Sequence, residues 1–151
     1  SEFPKVHLIH GNMSKLEVAA LFRSKDVHGY ISATRGEGYG LPLIEAAAAA
    51  VPVVTTNWSG HLDFLEDSFS KVDYNIVEIP EARVDNRIFI KGSKWADPKK
   101  ESYIYALKNL KENYEDHLRI SRKLKKKISS RYSKERICRK YDKFLREACN
   151  L

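Results

Sequence analysis

Gly36, Gly38 and Gly40 fall in five residues, and Pro42 and an alanine run follow at once; this stretch limits the possible folds more than any other. Pro42 opens a helix where its missing N–H costs nothing. Ala46 to Ala50 form a wall of small side chains along that helix, so it can lie close to a sheet. Val51 to Thr56 follow as a short apolar run of the parallel-strand type. The order is loop, helix N-terminus, strand. Glycines let backbone N–H groups approach an anion, and the helix end adds its unpaired donors and its dipole.

Two carboxylates stand inside this anion site and need a separate reason. Glu37 lies in the loop and Glu45 in the first turns of the helix. Beside a bound phosphate, a negative side chain is useful only if it grips something else, such as a sugar hydroxyl. One nucleotide-sugar would use both parts, with phosphates on the backbone and hydroxyls on the carboxylates. Leu41 stands where the third glycine of Gly-x-Gly-x-x-Gly belongs, which disfavours a nicotinamide-type dinucleotide site. Taken alone, Glu45 reads as a first-turn dipole partner. The joint pattern of two Glu, three Gly and Pro42 favours the site.

The stretch EGYGLPLIEA followed by PVV, with Glu37 and Glu45 separated by seven residues, resembles the Glu-x7-Glu motif of retaining family-4 glycosyltransferases of the GT-B fold. The resemblance extends upstream through residues 6 to 33. Downstream it covers TNWSGHLDFL and, more loosely, KWADP at 94 to 98. It implies that Glu45 binds the nucleotide ribose and that Glu37 is the catalytic carboxylate on the donor sugar. It also implies that amides of Gly38, Tyr39, Gly40 and Leu41 meet the sugar and diphosphate. Arg35 and His61 join the donor-binding candidates. The expected fold is α/β, one Rossmann-like half of a GT-B enzyme: a parallel sheet of four or five strands with a C-terminal helical tail.

Residues 1–3 read as a cloning scar, 4–96 as the donor-binding region and 97–151 as the tail. Strands are expected at Val6 to Ile9, Val27 to Ala33, Val51 to Thr56 and Val72 to Ile79, with a short extra one at Ile88 to Ile90. Ser14 and Glu17 form a capping box for a helix that turns Leu16, Ala19, Ala20 and Phe22 inward. His61 to Leu65 is a short helix. Thr55, Thr56, Ser59 and the Ser59–Gly60 amides are placed to line the crevice. Trp58 either stacks on a ring or, the favoured reading, fills the gap between loop and sheet. His61 bonds phosphate or sugar, or is a surface or capping residue. Asp97 and Pro98 start a helix carrying Tyr103, Leu107, Leu110 and Tyr114 on one face. A second helix covers about residues 117 to 129. Ser133 caps a third, whose buried stripe is Ile137, Tyr141, Phe144, Leu145 and Ala148.

Charge separates the two regions. Residues 1–100 hold 12 Lys and Arg against 13 Asp and Glu, net −1; residues 101–151 hold 15 against 7, net +8. Arg122 to Lys127 is the densest run. A solvated helix face is its simplest reading, with weak contact to an anionic membrane as the alternative. No aromatic RNA-binding motif accompanies it, and no nucleic-acid partner is expected. Cys138 and Cys149 have no metal-ligand spacing and lie too far apart along one helix to be joined. No Asp-x-Asp occurs, so no metal or other cofactor is expected. Reduced thiols and no apolar span suggest a cytoplasmic or peripheral-membrane enzyme.

The family implies a second Rossmann-like domain and two further β–α units carrying an Arg/Lys pair. No match to these is found, so the chain is expected to be the C-terminal part of a larger enzyme. Alone, it is expected not to transfer sugar. The competing readings are a non-catalytic nucleotide-binding module and a basic domain that docks on membranes or nucleic acid.

Overall fold

The structure is a computed structural model and describes residues 4–149. The expected scar at residues 1–3 lies outside them. The fold is α/β, consistent with a Rossmann-like half. Strands β1 (Tyr30–Ser32), β2 (Val53–Thr56) and β3 (Ser70–Val72) form a parallel sheet in that order. Helix α2 (Leu41–Ala48) makes the crossover from β1 to β2, and α3 (Leu62–Leu65) lies between β2 and β3. All four residues of the central strand are buried, as in a parallel strand covered on both faces.

The parallel sheet has three strands rather than the four or five expected. Residues 6–9 find no partner strand and no cover, and Val6 and Leu8 are 89% and 88% exposed. Apolar, β-prone composition does not make a strand without a neighbour. The expected strand over 72–79 is broken at Asp73. Its amide donates to Ser102 Oγ at 2.9 Å, and its carbonyl accepts from Lys99 N at 2.7 Å. Beyond this break β4 (Tyr74–Glu78) pairs antiparallel with β5 (Lys94–Pro98), with Tyr74 opposite Pro98. Asp97 and Pro98 are therefore strand residues, not a helix start, and the expected domain boundary at 96/97 falls inside β5. The helix α4 (Lys100–Glu112) begins after Lys99. Ile88 to Ile90 form no strand. Instead, the Asp85 carboxylate accepts from the amides of Arg87, Ile88 and Phe89, each at 2.9 Å, and closes the segment into a turn.

Helix α1 (Lys15–Arg23) has the expected capping box: Ser14 N donates to Glu17 Oε2 at 2.7 Å, and Glu17 N to Ser14 Oγ at 3.3 Å. It buries no residue fully. Ala19 and Phe22 are half-buried, while Leu16 and Ala20 face solvent. One core cluster joins α2, β2 and α3 to α5 (Tyr114–Arg131) through Leu43, Ala46, Phe64, Leu65, Leu124 and Ile128. A second joins Val54 and Val72 to Ala106 and Leu110 of α4, flanked by Tyr103, Leu107 and Tyr114 as expected.

Helix α6 (Lys134–Cys149) differs. Ser133 Oγ accepts from Arg136 N at 3.2 Å, so the cap is present. Its apolar stripe, however, is not buried: Tyr141, Phe144, Leu145 and Ala148 are exposed and Ile137 is half-buried. The period of a stripe shows that a face is apolar, not what covers it. The basic run on α5 is a solvated face around one core residue. Leu124 is buried, and Lys127 Nζ lies 2.9 Å from Glu66 Oε2.

Candidate functional site

The glycine loop leaves the C-terminal end of β1, the end where open α/β sheets place ligands. It is fastened from behind by residues distant in sequence. Thr56 Oγ1 donates to the Thr34 carbonyl at 2.6 Å. Ser59 Oγ accepts from Glu37 N at 2.9 Å and donates to Glu37 O at 2.6 Å. Gly60 N donates to the same carbonyl at 3.1 Å. A Cβ on Gly60 would sit 2.1 Å from the Gly38 oxygen, so the two backbones touch with no room for a side chain. Thr55 and Thr56 are fully buried. With Ser59 and Gly60 they correct the expectation that these groups line the crevice: they belong to the packing behind the loop.

The three glycines differ. Gly40 has φ +85°, and a Cβ there would meet Leu43 Cδ1 at 2.9 Å and His61 Cβ at 3.2 Å, so both conformation and space require glycine. Gly36 and Gly38 have nothing within 4 Å of an added Cβ. Among the described residues, the amides of Gly38, Tyr39, Gly40 and Leu41 donate to no protein acceptor. Four consecutive free N–H groups thus stand at the N-terminus of α2, a ready anion cradle.

Glu37 is half-buried and Glu45 exposed, and neither carboxylate has a hydrogen bond or ion pair among the described residues. Both act on one neighbour. Burial raises the Tyr30 phenol pKa, and the charges of Glu37 and Glu45 raise it further. Glu45 also lines a hollow of about 160 Å³ between α1 and α2, opposite Lys15 and Arg23.

The other candidates are spread out. Tyr39 is partly exposed, its ring 5.2 Å from that of Phe64, and Leu41 is 64% exposed at the helix start. Arg35 is committed to β5. Its Nε and Nη2 donate to Asp97 Oδ1 at 3.0 and 2.8 Å, its carbonyl accepts from Ala96 N at 3.2 Å, and its guanidinium lies 4.9 Å from the Trp95 ring centre. His61 is fully buried beneath Gly40, with Nε2 2.8 Å from the Thr56 carbonyl and Nδ1 without a partner. It makes no side-chain cap for α3, so it is neither a surface nor a capping histidine. Trp58 lies beside Arg35 and Gly36 of the loop. It is 40% exposed and packs 5.3 Å from Tyr74.

Sequence reading missed Tyr30, which appears as one aromatic residue in an apolar run. It also missed Asp97 as the partner of Arg35, because 62 residues separate them and no local pattern links them. Among the described residues, no group of three or more His, Cys, Asp or Glu side chains is placed to hold a metal ion. No helix among them is long and apolar enough to cross a membrane.

A family model described as glycosyl transferases group 1 matches residues 2–78, slightly more than half of the chain. Comparison with curated proteins and with solved structures returned no match. The matched segment contains α1 to α3, the glycine loop, Glu37 and Glu45. The chain therefore belongs to the group 1 glycosyl transferases, a family of sugar-transferring enzymes.

Proposed function

We propose that residues 36–45 are the donor site of a retaining GT-B glycosyltransferase of family 4. The donor is a nucleotide-diphosphate sugar, and the acceptor is a hydroxyl group. The observation that carries this reading is the run of amides at Gly38 to Leu41, flanked in sequence by Glu37 and Glu45, none of which has a bonding partner among the described residues. The amides and the α2 terminus hold the diphosphate and stabilise it as it departs. Glu45 accepts from the ribose hydroxyls. Glu37 orients the donor sugar and supports the positive charge that develops at its anomeric carbon. No metal is required in this scheme, because backbone donors meet the phosphate charge.

Arg35 and His61 act here as positioning residues: Arg35 pins β5 to the loop, and His61 supports Gly40 from below. Tyr39 and Leu41 shape the rim. The segment from Lys100 onward serves as a basic helical support for the donor region, and its cationic face remains solvated.

Calorimetry with uridine, guanosine and adenosine diphosphates tests the assignment. Glu45→Ala should weaken the best of them by about 1.5–3 kcal/mol, the worth of a hydrogen bond to a charged group. Unchanged affinity for all three nucleotides removes Glu45 from the ribose. Glu37→Gln should leave nucleotide affinity intact and lower sugar transfer at saturating donor. Equal turnover removes Glu37 from the chemistry.

A further inference from the structure

Helices α5 and α6 carry a stripe of cations that the core does not use. On α5, Arg119, Arg122, Lys123, Lys126 and Ser130 recur at the spacing of one helix face. Leu124 and Ile128, which pack into the core, lie on the opposite face. On α6, Arg136, Arg139, Lys140 and Lys143 recur in the same way. The two stripes meet at the junction of the helices, where Ser130, Ser133 and the four α6 cations line one concavity of about 620 Å³. All the cations of both stripes are exposed.

The chain itself does little to neutralise them. From His117 to Lys134 it has eight Lys and Arg and no carboxylate. Like charges stand four residues apart at Arg119–Lys123, Arg122–Lys126, Arg136–Lys140 and Arg139–Lys143, and they repel. Among the described residues, Arg119 meets Asp116 at 2.8 Å and Lys143 meets Glu147 at 3.6 Å. Arg122, Lys123, Lys126, Arg136 and Lys140 meet no carboxylate there. Ser133 Oγ accepts from Arg136 N and keeps its own proton to donate. A helix face built only for solvation mixes its signs. This one shows a single sign over about 16 Å of α5 and about 10 Å of α6.

We propose that this stripe docks the protein on an anionic lipid bilayer, with headgroup phosphates against the α5–α6 junction. The assignment goes beyond the donor-site reading and uses none of its residues. An extended stripe of one sign matches an extended surface of the other, and each Lys or Arg within a Debye length of the bilayer adds to the attraction. A small free anion would engage only the concavity. Single-stranded nucleic acid finds no aromatic ring on either stripe to stack on. The contact is electrostatic and crosses a hydrated interface, so the cationic face keeps its water. The apolar residues Ile137, Tyr141, Phe144 and Leu145 stand roughly 140° around α6 at 100° per residue and take no part.

Flotation of the full chain with lipid vesicles tests this. The probes are vesicles of phosphatidylcholine alone and of phosphatidylcholine mixed with phosphatidylglycerol. The chain should float with the mixed vesicles at about 0.1 M salt and be released at about 1 M, where the Debye length falls from about 10 Å to about 3 Å. It should not float with phosphatidylcholine alone. Lys123→Gln with Lys126→Gln, and Arg136→Gln with Lys140→Gln, should each weaken binding roughly 25-fold, about fivefold per charge. Lys5→Gln with Lys100→Gln, outside both helices, should change it less than about twofold, and so should Phe144→Gln. All these side chains are exposed, and thermal melts confirm that each variant folds. Equal binding to neutral vesicles, or loss in Phe144→Gln, shows apolar insertion and overturns the proposal. Equal losses in the control pair and the stripe pairs reduce the effect to net charge and overturn it as well. So does full binding by both stripe pairs. Preference for RNA over mixed vesicles at equal phosphate overturns the choice of partner. Release by inorganic phosphate beyond that by chloride at equal ionic strength shows a discrete phosphate site and does the same.

Discussion

Gly60→Ala is the smallest change that should dismantle the site. A Cβ built on Gly60 lies 2.1 Å from the Gly38 oxygen, 2.8 Å from the Gly38 carbonyl carbon and 2.9 Å from the Glu37 oxygen. The first distance is about 1.3 Å short of an ordinary 3.4 Å contact. All three obstacles are backbone, so no side chain can swing away. The loop must retreat by about 1 Å or residues 59–61 must shift. Retreat strains three hydrogen bonds, Gly60 N to Glu37 O at 3.1 Å and the Ser59 pair at 2.9 and 2.6 Å. Each is worth about 0.5–1.5 kcal/mol net, and forcing an extra methyl into packed space costs about 1–3 kcal/mol. A loss of about 2–3 kcal/mol follows, or roughly 5–10 °C in Tm for a chain of this size. Nucleotide affinity should fall as well, because the Gly38 to Leu41 amides move with the loop. Gly38→Ala is the control: with nothing within 4 Å of its added Cβ, it should stay within about 0.5 kcal/mol of the wild type. Urea melts of the two variants decide the matter. Gly60→Ala melting like the wild type, or Gly38→Ala melting like Gly60→Ala, refutes the account of the loop.

Ala50→Gly should stabilise the chain by about 0.5–1 kcal/mol in the same melts, because Ala50 sits at φ +66° in the Schellman turn that ends α2, where Val51 N bonds Ala46 O at 3.0 Å. Ser14→Ala should cost about 1 kcal/mol and fray α1, read as lost amide protection at Val18 to Leu21, because it removes the cap on Glu17 N. Tyr132 donates to Asp63 Oδ2 at 3.0 Å, and burial with that bond pushes its pKa from 10 to about 12. The folded state therefore holds the phenol proton more tightly than the unfolded state. The resulting stability is complete below pH 10 and is lost as pH rises toward 12, so Tyr132→Phe should flatten denaturation slopes measured across that window.

What could be read from the sequence was local. The Ser14 cap, the loop, Pro42 at the helix start and the apolar run Val51 to Thr56 all carry their signal within a short stretch of chain, and the structure shows each, the strand being trimmed to Val53–Thr56. Most failures come from a pairing far away in sequence or a face left uncovered, and the Asp85 turn that replaces the strand at Ile88 to Ile90 is the local exception. Asp97-Pro98 looks like a helix start in isolation, but pairing of β4 with β5 extends the strand through Pro98. The α6 stripe has the period of a buried helix, yet period does not supply the surface that would bury it. Residues 6–9 are apolar in the same unanswered way. At the site, the glycines and carboxylates were visible because they are close in sequence. The bond from Arg35 to Asp97 depends on the fold, and no spacing rule reports it.

The loop divides its residues into two sets with different duties. Behind it, Thr56, Ser59, Gly60, His61 and Leu43 use their polar atoms or their bulk to hold backbone against backbone. In front, the Gly38 to Leu41 amides and the Glu37 and Glu45 carboxylates use none of theirs among the described residues. Any helix leaves its first N–H groups without intrahelical partners; the added feature here is a pair of carboxylates beside them, Glu37 and Glu45, that bond nothing among the described residues. Unspent donors and acceptors of both kinds, fixed in place by a stiff second layer, are what a preorganised site for a ligand with anionic and hydroxyl parts requires. The two layers should therefore separate experimentally. Changes behind the loop lower stability and binding together. Changes in front lower binding or turnover while leaving the melt where it was.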